Sequence, residues 1–397
     1  MGNANENSRE NAAERLHPRL AGNDGLIHTI DWADLQFCRV PYQFDSSCGV
    51  PQRSWVPVGM PVLPRNVVNC VFYLYRSVDD AKAGCSPCGT GFVVAVCTMP
   101  HVRTPTFHYG VTNWHVAIRD GASVVRINTV DGGVDVIEFD PSEWEFVPGG
   151  HDIAAIELNL DSKVHDLSAV DIRMVLSRPS SGMALDELIA VGDDTFMIGL
   201  FADNSGVELN IPSARFGNVS MLPHDMAAVK EPTGFRGANF IVDMHSRTGF
   251  SGSPVFAYRT FGSDLSAMHG EGFEALDIEF NEAQLSSNGR DYAGRESFRG
   301  RIKSHNGRLK PRTMLRLLGI HWGQFSEAMP YDRRRLETMS APETSLERQY
   351  VHGFSGMTCV VPSWDILDIL DLPVFTNRRK IATEKWLESK NVGPIAD

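Results

Sequence analysis

The stretch R-T-G-F-S-G-S-P-V-F, residues 247–256, decides how the rest of the chain is interpreted. Its serine, Ser251, lies among glycines and just before an apolar run typical of a β-strand. Glycine adopts backbone conformations that other residues avoid, and it lets a substrate approach the main chain closely. Such a turn therefore suits an attacking serine, with the amides of Gly249 and Ser251 directed at a developing oxyanion. The alternative is a Gly/Ser turn that only joins two strands.

A histidine and an aspartate precede this serine, each beside an apolar, strand-like segment. His115 ends Y-G-V-T-N-W-H (109–115), and Asp152 begins D-I-A-A-I-E-L (152–158). A serine hydroxyl needs an imidazole to remove its proton, and the imidazole needs a buried acceptor to orient it. Taken singly, His115 is also compatible with a core histidine, and Asp152 with a turn or cap carboxylate. The order His, Asp, Ser differs from the Ser, Asp, His order of α/β-hydrolases.

Four blocks of sequence resemble the chymotrypsin-fold serine peptidases: G-T-G-F (89–92), V-T-N-W-H-V (111–116), H-D-I-A (151–154) and G-F-S-G-S-P-V (249–255). The resemblance covers roughly residues 66–372 and is nearest to the bacterial trypsin-like and glutamyl endopeptidases, which share G-I-H-W-G (319–323). It implies an all-β fold of two six-stranded antiparallel β-barrels with an N-terminal arm and a C-terminal helix. It also implies a catalytic triad of His115, Asp152 and Ser251, with the amides of Gly249 and Ser251 as the oxyanion hole.

The same resemblance implies a specificity pocket formed by Ser246, His321, Trp322 and Gly323. In glutamyl endopeptidases, the histidine of G-I-H and a hydroxyl residue five positions before the nucleophile bind a glutamate side chain. His321 and Ser246 occupy the matching positions, so a preference for an acidic residue before the cut is a hypothesis. Digestive zymogens are activated through an aspartate directly before the nucleophile. Phe250 stands there, which rules out that ion pair.

Short strand-like segments separated by Asp-Gly and Pro-Gly turns indicate an antiparallel sandwich or barrel. We predict a polar N-terminal tail and irregular arm over 1–65, a first barrel over 66–165, a linker over 166–192, a second barrel over 193–362 with a long insertion at 259–312, and a C-terminal helical segment over 363–397. The predicted elements include strands over 67–76 and 207–211 and a C-terminal helix capped by Ser363.

Composition restricts the classes of function. The 397 residues are 42% hydrophobic and 22% charged, as in ordinary globular proteins. The net charge of −12 argues against a nucleic-acid-binding chain, and no apolar run approaches the ~20 residues of a membrane span. The odd count of seven cysteines and the lack of a signal-like start favour reduced thiols and a cytoplasmic location. The lone C-S-P-C (85–88) leaves a zinc or redox protein as a minor alternative.

The sequence thus predicts a trypsin-like serine endopeptidase that acts on protein or peptide substrates through an acyl-enzyme. This chemistry needs no cofactor and no metal. Residues 259–312 or the N-terminal arm are candidate contacts for a regulatory protein partner. The alternative is a catalytically silent protein of the same fold that binds a peptide or protein partner through the same cleft.

Overall fold

The computed structural model describes residues 28–30, 63, 65–97, 105–179, 189–259, 314–330 and 350–389. Side chains are described for all of these except 28–30, 314, 327–330 and 350–354. Apart from Arg259, the predicted insertion 259–312 lies outside the described residues, as do most of the N-terminal arm and residues 390–397. The regulatory contacts assigned to the arm and the insertion therefore stay predictions.

Eight strands form one sheet, here called the N-terminal half-barrel: β1 (His28–Ile30), β2 (Val71–Tyr75), β3 (Gly89–Cys97), β4 (Thr106–Thr112), β5 (Val124–Asn128), β6 (Val134–Ile137), β7 (Ala154–Leu158) and β8 (Ser168–Asp171). Their order is β1-β8-β3-β2-β5-β6, and β4 pairs with the other edge of β3 and with β7. Strand β3 shares one edge between two partners, because β2 pairs with its first half and β8 runs parallel to its second half. Strand β8 lies inside the segment that the sequence assigned to the linker.

The remaining strands build the C-terminal barrel and a small ribbon: β9 (Asp194–Gly199), β10 (Ser213–Met221), β11 (Val229–Lys230), β12 (Arg236–Gly237), β13 (Phe240–Asp243), β14 (Pro254–Arg259), β15 (Met314–Pro330) and β16 (Tyr350–Pro362). Six of them close in the order β10-β13-β16-β15-β14-β9, while β11 and β12 pair only with each other. The predicted all-β, double-barrel fold class is confirmed.

The helices are few: α1 (Arg65–Val68), α2 (Val78–Ala83), α3 (Trp364–Leu370) and α4 (Pro373–Ser389). Helix α4 follows the C-terminal barrel but packs on the N-terminal half-barrel. The Phe375 ring meets the Tyr109 ring edge-on at 5.0 Å, and the Arg379 guanidinium donates to the Tyr109 hydroxyl at 3.1 Å. The predicted C-terminal helix is therefore present, and it ties the two units together.

Three local predictions were wrong. Residues 65–68 are helical, so the first strand begins at Val71; an apolar run alone does not separate a strand from a buried helical turn. Residues 207–211 form no strand, because side chains of the half-barrel bond their backbone. Arg126 donates to the Val207 carbonyl at 2.5 Å, and the Asn210 amide donates to Asn128 at 2.7 Å.

The third concerns Ser363, which does not cap α3 through its side chain. Its hydroxyl instead accepts a hydrogen bond from the Leu176 amide at 3.0 Å. The serine thus joins the segment after β8 to the start of the helix.

A continuous apolar core connects the two units. Phe92 and Tyr109 of the half-barrel belong to the same buried cluster as Phe196 and Phe256 of the barrel, and these two rings stack at 5.0 Å. This packing brings the end of β4 close to the turn that leads into β14. The predicted site residues lie at that junction.

Candidate active site

His115 follows the end of β4 and starts a short helical turn, His115–Arg119. Its ring Nδ1 lies 2.5 Å from Asp152 Oδ2, and its backbone amide donates to Asp152 Oδ1 at 2.9 Å. The carboxylate of Asp152 is fully buried and accepts both bonds. An ionised carboxylate can only accept, so Nδ1 carries the proton and Nε2 offers its lone pair.

Both backbone polar groups of Asp152, its carbonyl and its amide, are held by side chains. The Asn113 side chain donates to the Asp152 carbonyl at 2.8 Å. On the other side, the Asp152 amide donates to the buried carboxylate of Glu231 at 2.7 Å. Sequence reasoning missed Glu231, which lies in a Glu-Pro-Thr-Gly segment that looks like a surface turn.

Ser251 lies in the turn before β14. Thr90 of the half-barrel contacts this turn. The Ser251 carbonyl accepts from the Thr90 amide at 2.9 Å, and the Gly249 carbonyl accepts from the Thr90 hydroxyl at 2.8 Å. Thr112, three residues before His115, donates to the Thr90 carbonyl at 2.7 Å. These bonds connect the serine turn to the strands that carry the histidine. Among the described residues, no hydrogen bond joins the Ser251 hydroxyl to the His115 ring.

The two glycines around Ser251 are required by space as well as by conformation. Gly249 has φ +100° and Gly252 has φ +87°, in the left-handed region that favours glycine. A Cβ on Gly252 would lie 2.0 Å from the Thr90 carbonyl oxygen, and one on Gly249 would lie 2.9 Å from Leu200. The Phe250 amide donates to the Arg247 carbonyl at 3.3 Å, so Gly249 takes the third position of a β-turn.

The amides of Gly249 and Ser251 donate no hydrogen bond to any described residue. Both amides are therefore available as donors, which the predicted oxyanion hole requires.

His321, which the sequence assigned to the specificity pocket, lies on β15 beside the serine turn and is 2% exposed. Its Nδ1 is 3.0 Å from the Phe250 carbonyl, which can only accept, so Nδ1 carries the proton. Its Nε2 is buried and has no partner within the described part of the chain. Burial lowers the pKa of His321 to about 4, with the nearby charge of His115 acting in the same direction and the Phe250 carbonyl opposing it. His321 is therefore neutral at pH 7 and presents an acceptor.

The other predicted pocket residues are placed less closely. Ser246 is buried, and its hydroxyl lies 3.5 Å from the Arg247 carbonyl, with no bond to His321 in the described structure. The indole Nε1 of half-buried Trp322 has no partner among the described residues. A Cβ built on Gly323 meets no atom of the described residues within 4 Å.

Within the described residues, no group of three or more His, Cys, Asp or Glu side chains is arranged to hold a metal ion. Within the described ranges, Cys85 and Cys88 are free thiols, as are the buried Cys70 and Cys359. Every helix in those ranges is too short or too polar to cross a bilayer.

No protein-family model matches the chain, and a search of the curated proteins also found no match. Among solved structures, Deg5 shares 17% identity over 48% of this chain and 75% of its own, with a TM-score of 0.30. The inactive form of the Rv3671c protease shares 11% identity over 76% of this chain and 88% of its own, with a TM-score of 0.31. An inactive mutant of Rv3671c from M. tuberculosis H37Rv shares 12% identity over 79% and 94%, also with a TM-score of 0.31. At these scores, the fold assignment rests on the strand topology alone.

Proposed function

We propose that this chain is a serine endopeptidase that uses His115, Asp152 and Ser251. The observation that carries the proposal is the buried 2.5 Å contact between His115 Nδ1 and Asp152 Oδ2, next to a serine turn with two unpaired amides. The Asp152 carboxylate fixes the tautomer in which Nε2 is the base. That is the arrangement a serine nucleophile requires.

The reaction follows from this arrangement. Ser251 Oγ attacks the carbonyl carbon of the scissile peptide while its proton passes to His115 Nε2, and the carbonyl oxygen becomes an oxyanion at the Gly249 and Ser251 amides. The C–N bond then breaks as His115 returns the proton to the leaving amine, which leaves an acyl-serine. A water molecule then loses a proton to the same Nε2 and attacks the acyl carbon. The ester C–O bond breaks, the acid leaves, and His115 returns that proton to Ser251 Oγ.

A preference for an acidic residue before the cut is a finer proposal, with His321 and Ser246 as the contacts. The tautomer of His321 adds a condition. Because Nδ1 donates to Phe250, Nε2 can donate to a carboxylate only after His321 gains a second proton. We therefore expect the cleavage of glutamate-containing peptides to involve proton uptake. A peptide panel that varies only the residue before the cut tests the preference, and a preference for Lys, Arg or a small residue would contradict it.

The second candidate is a catalytically silent protein that binds a peptide or protein partner through the same cleft. The observation in its favour is that the Ser251 hydroxyl and the His115 ring make no hydrogen bond within the described structure. Catalytic hydrogen bonds are often long in unliganded enzymes and tighten only when substrate binds. The endopeptidase therefore stays the preferred proposal.

Labelling with a fluorophosphonate separates the two candidates. We expect the intact chain to be labelled, Ser251→Ala to be unlabelled, and His115→Ala to be labelled far more slowly. Ser253→Ala is the matched control, because Ser253 is two residues away but fully buried, and its labelling should equal that of the parent. An unlabelled parent that still binds peptides would favour the silent protein.

Regulation by a protein partner through 259–312 or the N-terminal arm, and a cytoplasmic location, belong to the same proposal. The free thiols of Cys70, Cys85, Cys88 and Cys359 are compatible with a reducing compartment. Fractionation of cells that express the chain tests the location. Co-purification with and without residues 259–312 tests the partner.

A further inference from the structure

The segment that contains the ribbon β11–β12 of the C-terminal half contacts the loop that carries Asp152 in the N-terminal half. The contacts of Glu231, Thr233 and Phe235 with this loop are here called the clasp. The Thr233 hydroxyl donates to the Gly150 carbonyl at 3.0 Å, and the Phe235 ring meets the His151 ring edge-on at 4.7 Å. Between these contacts, the Glu231 carboxylate accepts the Asp152 amide at 2.7 Å. Three contacts on three consecutive loop residues make this clasp specific to the segment that presents Asp152.

Glu231 is built into the clasp as an acceptor only. Its Oε1 accepts from His151 Nδ1 at 2.8 Å and from the Asn239 side chain at 2.9 Å, and its Oε2 accepts the Asp152 amide. The side chain is completely buried, so water does not solvate it. A carboxylate with several donors and no water is stabilised as the anion, provided that a cation lies close by.

The cation that meets this need is the His151 imidazolium. His151 lies between two carboxylates, with Nδ1 on Glu231 and Nε2 3.4 Å from Asp365 Oδ2. Burial acts to lower the pKa of His151, but the Glu231 hydrogen bond and the charges of Asp365 and Glu231 outweigh it, so the pKa is raised. Gly237 leaves room for the pair, because a Cβ there would lie 2.4 Å from the His151 ring and 2.2 Å from Glu231.

Other charged and titratable groups surround the pair. They are Asp152 itself, Arg178 and Asp368 on the far side of Asp365, and the Cys359 thiol of β16. Burial, together with the charge of Glu231, raises the pKa of Cys359 to about 12, so this thiol is neutral. Arg178 is half exposed and pairs with both Asp365 and Asp368. Among the described residues, His151 is therefore the only group in direct contact with Glu231 that can become a cation.

We propose that Glu231 is a positioning residue for the catalytic pair, and that protonated His151 is the counter-ion that keeps it charged. The inference rests on the proposed function. Asp152 is fixed by Asn113 at its carbonyl and by Glu231 at its amide, and its carboxylate in turn fixes His115. Without the Glu231 contact, the Asp152 peptide keeps only one of its two anchors. A shift of about 1 Å in a catalytic group costs about 10²-fold in rate.

The proposal predicts how the stability of the clasp changes with pH. A histidine whose folded-state pKa is raised contributes stability fully below the unfolded value of about 6.5 and loses that contribution as the pH rises through the folded value. Deprotonation of His151 leaves the Glu231 anion buried without a cation, so the clasp weakens on the alkaline side.

Glu231→Gln tests the proposal, because it keeps size and shape but offers one acceptor oxygen and no charge. Asp135→Asn is the matched control, since it removes the carboxylate of a second histidine pair, His165 Nε2 to Asp135 at 3.0 Å, in a different part of the half-barrel. We expect kcat to fall about 10–10²-fold in Glu231→Gln, with KM unchanged, and to stay at the parent value in Asp135→Asn. Asp365→Asn, which leaves Glu231 in place, should act in the same direction but more weakly.

An NMR readout makes the test independent of proteolysis. The proton on His115 Nδ1, held by Asp152, gives a far-downfield signal, which we expect to shift or broaden in Glu231→Gln and to stay in Asp135→Asn. The titration of His151 should move to lower pH in Glu231→Gln and in Asp365→Asn. An unchanged His115 signal in folded Glu231→Gln, or an equal loss of kcat in Asp135→Asn, would overturn the proposal. A parent that neither cleaves nor labels at Ser251 overturns the proposed function instead, and the two NMR signals still decide the role of Glu231.

Discussion

The His115 side and the Ser251 side of the candidate active site are held in place by different kinds of contact. On the His115 side, the contacts are hydrogen bonds of polar and charged side chains. Asn113 and Glu231 bind the backbone of Asp152, and the Asp152 carboxylate binds the imidazole. On the Ser251 side, the turn is held through its main-chain carbonyls, which accept hydrogen bonds from Thr90 and His321, and through the apolar ring of Phe250, which is fully buried. The Phe250 ring also lies 5.8 Å from the Arg215 guanidinium.

The difference determines what each side responds to. Contacts between charged side chains depend on protonation, so the His115 side should respond to pH and to isosteric changes such as Asp to Asn. Close packing and glycine conformations depend on volume, so the Ser251 side should respond to added or removed carbon atoms. Four variants or conditions test this contrast.

The largest effect is expected for Asp152→Asn. The asparagine keeps the size, but its amide favours the wrong tautomer of His115, and a change of this kind lowers kcat by about 10⁴-fold. Steady-state kinetics measure it, with Asp135→Asn as the control that also converts a histidine-bonded aspartate. A loss of less than about tenfold would show that Asp152 does not orient His115.

Gly249→Ala tests the Ser251 side. An alanine here would have to adopt φ +100°, which residues with a Cβ rarely do, and its Cβ would lie 2.9 Å from Leu200. We therefore expect the turn to move and to carry the amide of residue 249 with it. Loss of one oxyanion donor costs about 10²–10³-fold in kcat. Gly132→Ala is the control for conformational strain alone, because Gly132 has φ +88° with no atom within 4 Å of its Cβ position. Equal kinetics for the two variants would argue against an oxyanion role for Gly249.

Phe250→Ala asks whether apolar packing fixes the nucleophile. Removing a buried phenylalanine costs about 3–5 kcal/mol of the free energy of unfolding. Phe375→Ala removes another fully buried phenylalanine, between α4 and Tyr109, and should cost a similar free energy. We expect only Phe250→Ala to lower kcat as well. Denaturant unfolding and kinetics measured on both variants provide the comparison, and equal kcat values would contradict it.

The Ser251 side was the more predictable from sequence, because its requirements are local. Glycines at 249 and 252, a serine between them and an apolar strand afterwards lie within one stretch of ten residues. What the stretch did not contain was Thr90, which bonds two of its carbonyls from the other half of the molecule.

The His115 side was predictable only in its two central residues. His115 and Asp152 were found through motifs beside strands, but Glu231 is 79 positions from Asp152 and carries no local signal. A carboxylate in a turn is normally solvated, and only the three-dimensional clasp converts this one into a buried acceptor. The same applies to residues 207–211, where the bonds from Arg126 and Asn128 replaced the predicted strand pairing.

The smallest expected effect concerns His321. This residue lies on the Ser251 side, but its expected response is to pH, as on the His115 side. The burial that lowers its pKa to about 4 also leaves Nε2 without a proton at pH 7, while Nδ1 stays on the Phe250 carbonyl. In the proposed pocket, a glutamate carboxylate therefore binds His321 only with the uptake of a proton, whereas a glutamine amide can donate to the bare Nε2. We expect the ratio of kcat/KM for a glutamate peptide over its glutamine twin to rise as the pH falls from 8 to 6, by at most about tenfold per pH unit for one proton. Taking the ratio cancels any dependence on pH that both peptides share. A ratio that does not change with pH would mean that His321 does not bind the glutamate carboxylate. The Ser251 side, including the proposed pocket, would then show no response to pH, in contrast to the His115 side.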